Sequence, residues 1–394
     1  MKRTFLFLAL AFAVTGAFAQ KGLVSTAQSL KESGKLDKAL AAINEAIDPA
    51  NPKAEKTVNW PRSYEVKGEI YQAMYSSKDE NMKKLDPNPL AQAFDAYMKA
   101  LELDKDNNYS KSVKIKIQLL TNDLTQQAVG AFEKEDFSKA LDSFERILSI
   151  NKMKLFQDKD KATQTVDTVI IYNAGLAALN GKNYPKATQY LKEAVDLGYQ
   201  GVNTTRLLAK AFLDSGDTIS HEKVIKEGYA KHPESLEMLY DVINFYILVK
   251  KDNNQALKFI DLALEKDPKN ATLLFAKGTV QEKTNAEDAA KSYQQAIDVK
   301  PDYFDAYYNL GALYYNNGVK FLESSNKIPT DQPKKYEEEL KKADVEFHKS
   351  LPYMEKANEL KAKDRAILES LKTLYYRLKI MDKFKIVEEE LKNL

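Results

Sequence analysis

Few residues in this sequence could carry acid–base, metal or covalent chemistry. It contains three histidines and no cysteine, which excludes disulfides, thiolate metal sites and a thiol nucleophile. His221, His232 and His348 are scattered, and the chain has no His-Glu-x-x-His motif, phosphate-binding glycine loop or nucleophile elbow. We therefore expect no catalytic residue, no metal and no cofactor, and we predict that the protein is not an enzyme.

Two features come closest to a site. The segment Asp104-Lys105-Asp106 begins like a calcium-binding loop, but Tyr109 stands where such a loop needs glycine and Ile115 where it needs glutamate. We interpret this segment as a polar turn between helices. His221 has no acidic or histidine partner at a ligand spacing, so we interpret it as a partly exposed residue at a helix start.

The N-terminal segment has the three parts of a secretory signal peptide. Lys2 and Arg3 are followed by the apolar run Phe5–Val14 and by Ala17-Phe18-Ala19, which predicts cleavage before Gln20. An apolar helix of that length spans about 15 Å, too short for a membrane core of about 30 Å. We expect a bacterial protein exported to the periplasm or cell envelope, with no integral membrane segment after cleavage.

The charge balance limits the classes of partner. Loss of Lys2 and Arg3 leaves 57 basic against 57 acidic side chains, since the whole chain has 59 and 57. A neutral chain offers no electrostatic attraction for nucleic acid. The expected partners are therefore a protein or a peptide.

An internal repeat indicates the elements that position these side chains. Ala256, Ile260, Ala263 and Pro268 have the same spacing as Ala289, Tyr293, Ala296 and Pro301. Small residues at helical spacing let two helices approach closely, while large residues fill the space between them. The small residues of this pattern are Ala39, Gly68, Ala93, Ala140, Gly175, Ala187, Ala256, Ala263, Gly278, Ala289, Ala296 and Gly311.

This pattern resembles the tetratricopeptide repeat, a helix–turn–helix unit of about 34 residues. Nine frames can be drawn, starting near Gln20, Pro61, Thr121, Thr168, Val202, Glu237, Ala271, Phe304 and Leu368. The resemblance implies an all-α fold, a right-handed superhelical solenoid of about nine repeats. The predicted organisation is a signal peptide (1–19), N-terminal repeats with insertions (20–154), a linker (155–167), a regular array (168–318), an inserted loop (319–336), and C-terminal repeats with a cap (337–394).

The resemblance also implies a concave groove lined by the first helix of each repeat, at positions 2, 5, 9 and 12. The predicted partner-binding residues are Tyr172, Arg206, Lys210, Asp241, Phe245, Phe275, Tyr308, Tyr315 and Tyr376. Aromatic side chains give large contact areas at low entropic cost, which suits an extended peptide or a partner helix. We predict a non-enzymatic scaffold of the cell envelope that binds a partner for assembly, secretion or folding. A glycan- or peptidoglycan-binding module is the alternative, and a carboxylate-based hydrolase is a further one.

Overall fold

The computed structural model describes residues 21–155 and 167–394. Every regular element in these two ranges is helical, and successive helices pair as antiparallel hairpins. The prediction of an all-α fold built from helix hairpins is confirmed. The predicted signal peptide at 1–19 and most of the predicted linker at 155–167 lie outside the described residues.

The chain divides into two compact units, of which the first is Met1–Val224. Its first described helix, α1, covers residues 21–32. A 3₁₀ turn at Pro52–Ala54 separates the first two hairpins. The other helices are α2 (Leu36–Ala46), α3 (Pro61–Tyr75), α4 (Glu80–Lys83), α5 (Pro89–Leu103), α6 (Ser110–Glu133), α7 (Phe137–Lys152), α8 (Thr168–Asn180), α9 (Tyr184–Asp196) and α10 (Val202–Asp214).

The second unit is Ile225–Leu394. Helix α11 (Thr218–Lys231) contains the boundary between the units, and a π-helical turn at Phe245–Lys250 continues α12. The further helices are α12 (Leu236–Asn244), α13 (Asn253–Lys266), α14 (Ala271–Gln281), α15 (Ala286–Val299), α16 (Phe304–Ser325), α17 (Pro333–Leu360), α18 (Arg365–Arg377) and α19 (Met381–Lys392). Among the described residues, none of the helices is both long and apolar enough to cross a membrane.

Short polar side chains start many of these helices. The side chain of the residue before the helix accepts a hydrogen bond from a backbone N–H of the first turn, which has no partner within the helix. Such residues also favour turns, so the same residue ends the loop and starts the helix. The caps include Asp136 of α7, Asp167 of α8, Asn183 of α9, Asp252 of α13, Asn270 of α14, Asn285 of α15 and Asp364 of α18.

Glycines set how closely the two helices of a hairpin approach. A Cβ atom on Gly278 of α14 would lie 2.6 Å from the ring of Tyr293 on α15, and one on Gly175 of α8 would lie 2.8 Å from Leu191 on α9. These distances are shorter than any carbon–carbon contact, so only glycine fits. All the alanines predicted to pack in this way are buried without exposed surface: Ala39, Ala93, Ala140, Ala187, Ala256, Ala263, Ala289 and Ala296.

The eighth hairpin is longer than the sequence analysis predicts, and the inserted loop at 319–336 is a correction. Helix α16 continues to Ser325 and α17 begins at Pro333, which leaves a connection of only 326–332. A second glycine explains the extension. A Cβ atom on Gly311 would contact Met354 at 3.0 Å, and one on Gly318 would contact Phe347 at 2.6 Å. The same close packing is therefore repeated two turns further along both helices.

Two polar residues occupy the position where other repeats have alanine. Ser350 donates a hydrogen bond of 2.7 Å to the backbone carbonyl of Gly311. His221 Nδ1 lies 2.8 Å from the carbonyl oxygen of Ala209, which only accepts, so Nδ1 carries the proton. The prediction of a partly exposed His221 was wrong, because this hydrogen bond lets the imidazole lie buried between two helices.

Candidate functional site

In the first unit, the predicted groove residues lie on α8 and α10. Tyr172 is half-buried, with its ring 5.0 Å from that of Tyr199. Arg206 and Lys210 are exposed one turn apart on α10, and Lys210 forms an ion pair of 2.5 Å with Asp214. The structure therefore leaves both basic residues accessible and shares Tyr172 with the core.

In the second unit, Phe245 is a correction. Its side chain is only 2% exposed, which removes it from any partner-binding surface. Helix α12 starts at Leu236, one residue before the predicted frame, because Ser235 caps it through the N–H of Met238. That shift turns Phe245 toward the core, and the wider π turn accommodates the additional residue. Asp241, also on α12, is half-buried.

The aromatic residues further along this unit are partly accessible. Phe275 is half-buried, with its ring 5.6 Å from Tyr293 and 5.3 Å from Tyr303. The ring of Tyr308 stacks on Phe304 at 6.1 Å with an interplanar angle of 15°. Each of these rings uses one face for packing within the repeat, so its contact with a partner would be made by an edge or the opposite face.

Three predicted residues gather around one core cluster, which is formed by α17, α18 and α19. Tyr308 and Tyr315 pack directly against this cluster. Tyr376 on α18 is 66% exposed, and its ring lies 5.6 Å from that of Phe384, which packs against the same cluster. We call the surface formed by Phe304, Tyr308, Tyr315, Lys372 and Tyr376 the α16–α18 face.

Lysines lie over aromatic rings at this face. The ammonium group of Lys361 is 5.1 Å from the ring centre of Phe304, and that of Lys372 is 5.6 Å from the ring centre of Phe384. Lys372 also pairs with Glu388 at 3.1 Å. A cation over an aromatic ring is held in place while part of its charge still faces solvent. The α16–α18 face thus combines exposed aromatic area with positioned positive charge.

The sequence analysis missed a charged network in the first unit. Glu65, with 1% of its side chain exposed, pairs with Arg62 at 2.6 Å and accepts a hydrogen bond of 2.6 Å from Ser112. Lys116 on α6 contacts both Glu65 and Glu69, the latter at 2.7 Å. Arg62, Glu65 and Glu69 occupy groove positions 2, 5 and 9 of the second repeat, so the same frame applied to α3 would have found them.

These carboxylates are held in the ionised form. Burial by itself raises the pKa of Glu65, but hydrogen bonds from Lys116, Ser112 and Arg62 outweigh it and lower the pKa. Burial likewise opposes the lowered pKa of Glu69, whose hydrogen bonds come from Lys116 and Lys31. A glycosidase needs one carboxyl with a raised pKa to donate a proton. Glu65 and Glu69 therefore lack the proton-donating member that the hydrolase alternative requires.

The segment that begins like a calcium loop has a structural role. The carboxylate of Asp104 accepts hydrogen bonds from the backbone N–H groups of Asn108, Tyr109 and Ser110, at 3.0, 2.9 and 2.6 Å. The Ser110 hydroxyl adds a fourth at 2.7 Å. Burial would raise the pKa of Asp104, yet these hydrogen bonds lower it. The carboxylate thus organises the turn that leads into α6.

Comparison with known proteins relates the hairpins to a family. A family model described as a TPR repeat matches residues 285–318, which include α15 and most of α16. The human protein O-mannosyl-transferase TMTC1 is 27% identical over 154 residues, 38% of this chain, and the chain spans only 17% of that relative's length.

Solved structures of repeat proteins from gut bacteria are similar to this chain. A TPR repeats protein from Bacteroides fragilis is 22% identical, with 65% of this chain and 98% of that chain covered and a TM-score of 0.33. A tetratricopeptide repeat protein from Parabacteroides merdae is 17% identical, with 64% and 98% covered and a TM-score of 0.39.

Proposed function

Since this chain is a tetratricopeptide-repeat protein, we propose that it is a non-enzymatic scaffold that binds a protein partner at the α16–α18 face. Repeats of this type typically bind proteins or peptides. The observation that carries the proposal is Tyr376, which is 66% exposed on α18 beside Phe384 and Lys372. Tyrosine and basic residues are enriched among the residues that dominate binding energy at protein interfaces.

The place of action is part of the same proposal. The sequence of Met1–Ala19 supports export, and the protein would then hold its partner in the cell envelope during assembly, secretion or folding. In that setting the partner would be another envelope or secreted protein, in extended or helical form along the first helices.

Affinity capture from a native envelope extract tests the binding site. Tyr376→Ala removes a side chain that contributes little to folding, because it is 66% exposed. We expect the full chain to retain a protein partner and the variant to bind it at least about tenfold more weakly. Val345→Ala, which truncates a side chain 53% exposed on α17, is the matched control and should retain the partner.

Three results would contradict the proposal in different ways. Equal retention by Tyr376→Ala and the unchanged chain would remove the α16–α18 face as the site. Retention of purified cell wall without any protein would favour the glycan-binding alternative. Turnover of a cell-wall glycan would show that the chain is an enzyme.

A further inference from the structure

The connection between α3 and α5 forms one wall of a pocket in the first unit. This pocket has a volume of about 580 Å³, is open to solvent, and is completed by α6 and α7. Tyr75 and Pro87 contribute apolar surface, whereas Gln127, Asp123, Lys134 and Lys139 contribute polar groups. A volume of this order accommodates a few amino-acid residues.

Gln127 of α6 lines the pocket although it is buried. Its Nε2 atom donates to Asn88 Oδ1 at 3.0 Å and to Ser143 Oγ at 2.9 Å. The orientation of the amide is fixed by the next partners along the chain of hydrogen bonds. Asn88 Nδ2 donates to the carboxylate of Asp142 at 3.1 Å, so Asn88 must present its oxygen to Gln127. The Ser143 hydroxyl donates to the carbonyl of Lys139 at 2.9 Å, so its oxygen likewise accepts.

The remaining atom of this amide, Gln127 Oε1, is a buried acceptor without a hydrogen-bond partner in the described structure. Buried polar atoms are almost always paired, because leaving one unpaired loses its hydrogen bonds to water. The equivalent position in five other repeats is buried and apolar, namely Ala174, Leu208, Ile243, Leu310 and Leu374. Packing thus does not require an amide at this position, and Gln127 adds an acceptor whose donor is not supplied by the hairpin.

The charges around the pocket indicate what else a ligand would carry. Asp123 accepts a hydrogen bond of 2.6 Å from Gln72, and Lys139 donates one of 2.8 Å to the carbonyl of Pro87. Lys134 is exposed and forms no ion pair with any residue that the structure describes. The group left to pair is therefore a cation, which favours an anionic ligand.

We propose that this pocket binds an acidic peptide segment of a protein partner. A backbone N–H of the peptide donates to Gln127 Oε1, a carboxylate pairs with Lys134, and the peptide packs against Tyr75 and Pro87. The open side of the pocket lets the chain enter and leave it. This inference rests on the proposed function in that both assign a protein partner, but it places a contact on a different unit of the chain.

An array of short synthetic peptides tests the proposal with the full chain as probe. The peptides are matched pairs in which one member has aspartate or glutamate and the other has asparagine or glutamine at the same position. We expect acidic members to be retained about tenfold better than their amide counterparts. Lys134→Gln should abolish that preference, and Gln127→Met should weaken retention about tenfold because the acceptor is lost.

Two controls keep the result interpretable. Lys111→Gln neutralises an exposed lysine at the far end of α6 and should leave retention unchanged. If Gln127→Met unfolds, Lys134→Gln still decides, since its side chain is exposed and unpaired within the described residues. Equal retention of both peptide types, no retention, or insensitivity to Lys134→Gln overturns the proposal. Acidic peptides lost with Tyr376→Ala but kept with Lys134→Gln would support the proposed function and overturn this pocket.

Discussion

Glu65 is a carboxylate almost entirely removed from water, with 1% of its side chain exposed. It remains ionised because Arg62 and Lys116 pair with it and Ser112 donates to it. A buried ion pair is weak evidence for net stabilisation, but removing one partner leaves uncompensated charge behind. The charged network on α3 and α6 is therefore sensitive to the loss of any single member.

Replacing Glu65 by glutamine gives a pH-dependent loss of stability. At about pH 7 we expect Glu65→Gln to lower the free energy of unfolding by about 3 kcal/mol, because Arg62 and Lys116 lose a buried partner. The lowered pKa of Glu65 means that its contribution is fully present above the pKa of the unfolded chain. It is lost as the pH falls through the folded value, below about 4.5, so the difference between the two proteins should shrink there.

Denaturant unfolding followed by circular dichroism, from about pH 7 to about pH 3, measures this difference. Glu102→Gln is the control, because Glu102 pairs with Lys99 on an exposed surface and its loss should scarcely matter. A difference between Glu65→Gln and the unchanged chain that stays constant over this pH range would contradict the expectation.

At the scale of helices, one glycine in each of several hairpins sets the contact between the two helices. A Cβ atom on Gly68 of α3 would overlap the ring of Tyr97 on α5. Tyr97 cannot easily move aside, because it is fully buried and its hydroxyl donates to Gln72 at 3.0 Å. We expect Gly68→Ala to destabilise the protein by about 1–3 kcal/mol through overpacking.

Gly130→Ala is the matched comparison for Gly68→Ala. Gly130 also lies within a helix of the first unit, but a Cβ atom there would meet nothing within 4 Å. Alanine favours helix over glycine by up to about 1 kcal/mol, so this variant should be slightly more stable. Denaturant midpoints of the two variants measure the contrast, and equal destabilisation by both would show that packing against Tyr97 is not the cause.

The same scale explains what the sequence could predict. The hairpins were predictable because the spacing of residues such as Ala289 and Ala296 depends only on helix geometry and on a neighbour close in sequence. The fate of Phe245 was not, because it depends on a helix start that lies one residue earlier and on a π turn. The length of α16 depends on Gly318 meeting Phe347, a pairing between two helices that the reading of a single helix does not reveal.

The candidate site was less predictable than the fold for a related reason. Groove positions follow from the repeat frame, so Tyr376 could be placed on an exposed surface from its spacing alone. Whether a tyrosine at such a position is shared with the core depends on its neighbours, as with Tyr172 against Tyr199. Gln127 Oε1 is a further step away, since its lack of a partner follows from hydrogen bonds contributed by α5 and α7.

At the scale of the whole molecule, opposite charges nearly cancel, with 59 basic and 57 acidic side chains. Many are also paired locally, as Lys99 is with Glu102 and Lys361 with Asp364. Such a surface gives little long-range attraction, so recognition of a partner would depend on close contact.

The segment Met1–Ala19 predicts where the whole protein acts. We expect the protein produced in a bacterial host to begin at Gln20 after export, because the small residues before it suit signal peptidase. N-terminal sequencing of protein from the periplasmic fraction measures this. Ala17→Lys with Ala19→Lys should block cleavage and leave the longer chain, whereas an intact Met1 on periplasmic protein would contradict the prediction.

The glycine contacts described above have a genetic consequence. Gly68 meets Tyr97, Gly175 meets Leu191 and Gly278 meets Tyr293, so each fit is completed between two helices encoded next to each other. Duplication of one hairpin copies both sides of the fit at once, and the new copy is already matched to itself. An array of this kind can therefore lengthen by single recombination events, after which surface positions such as Gln127 and Tyr376 can diverge without disturbing the fit between the helices.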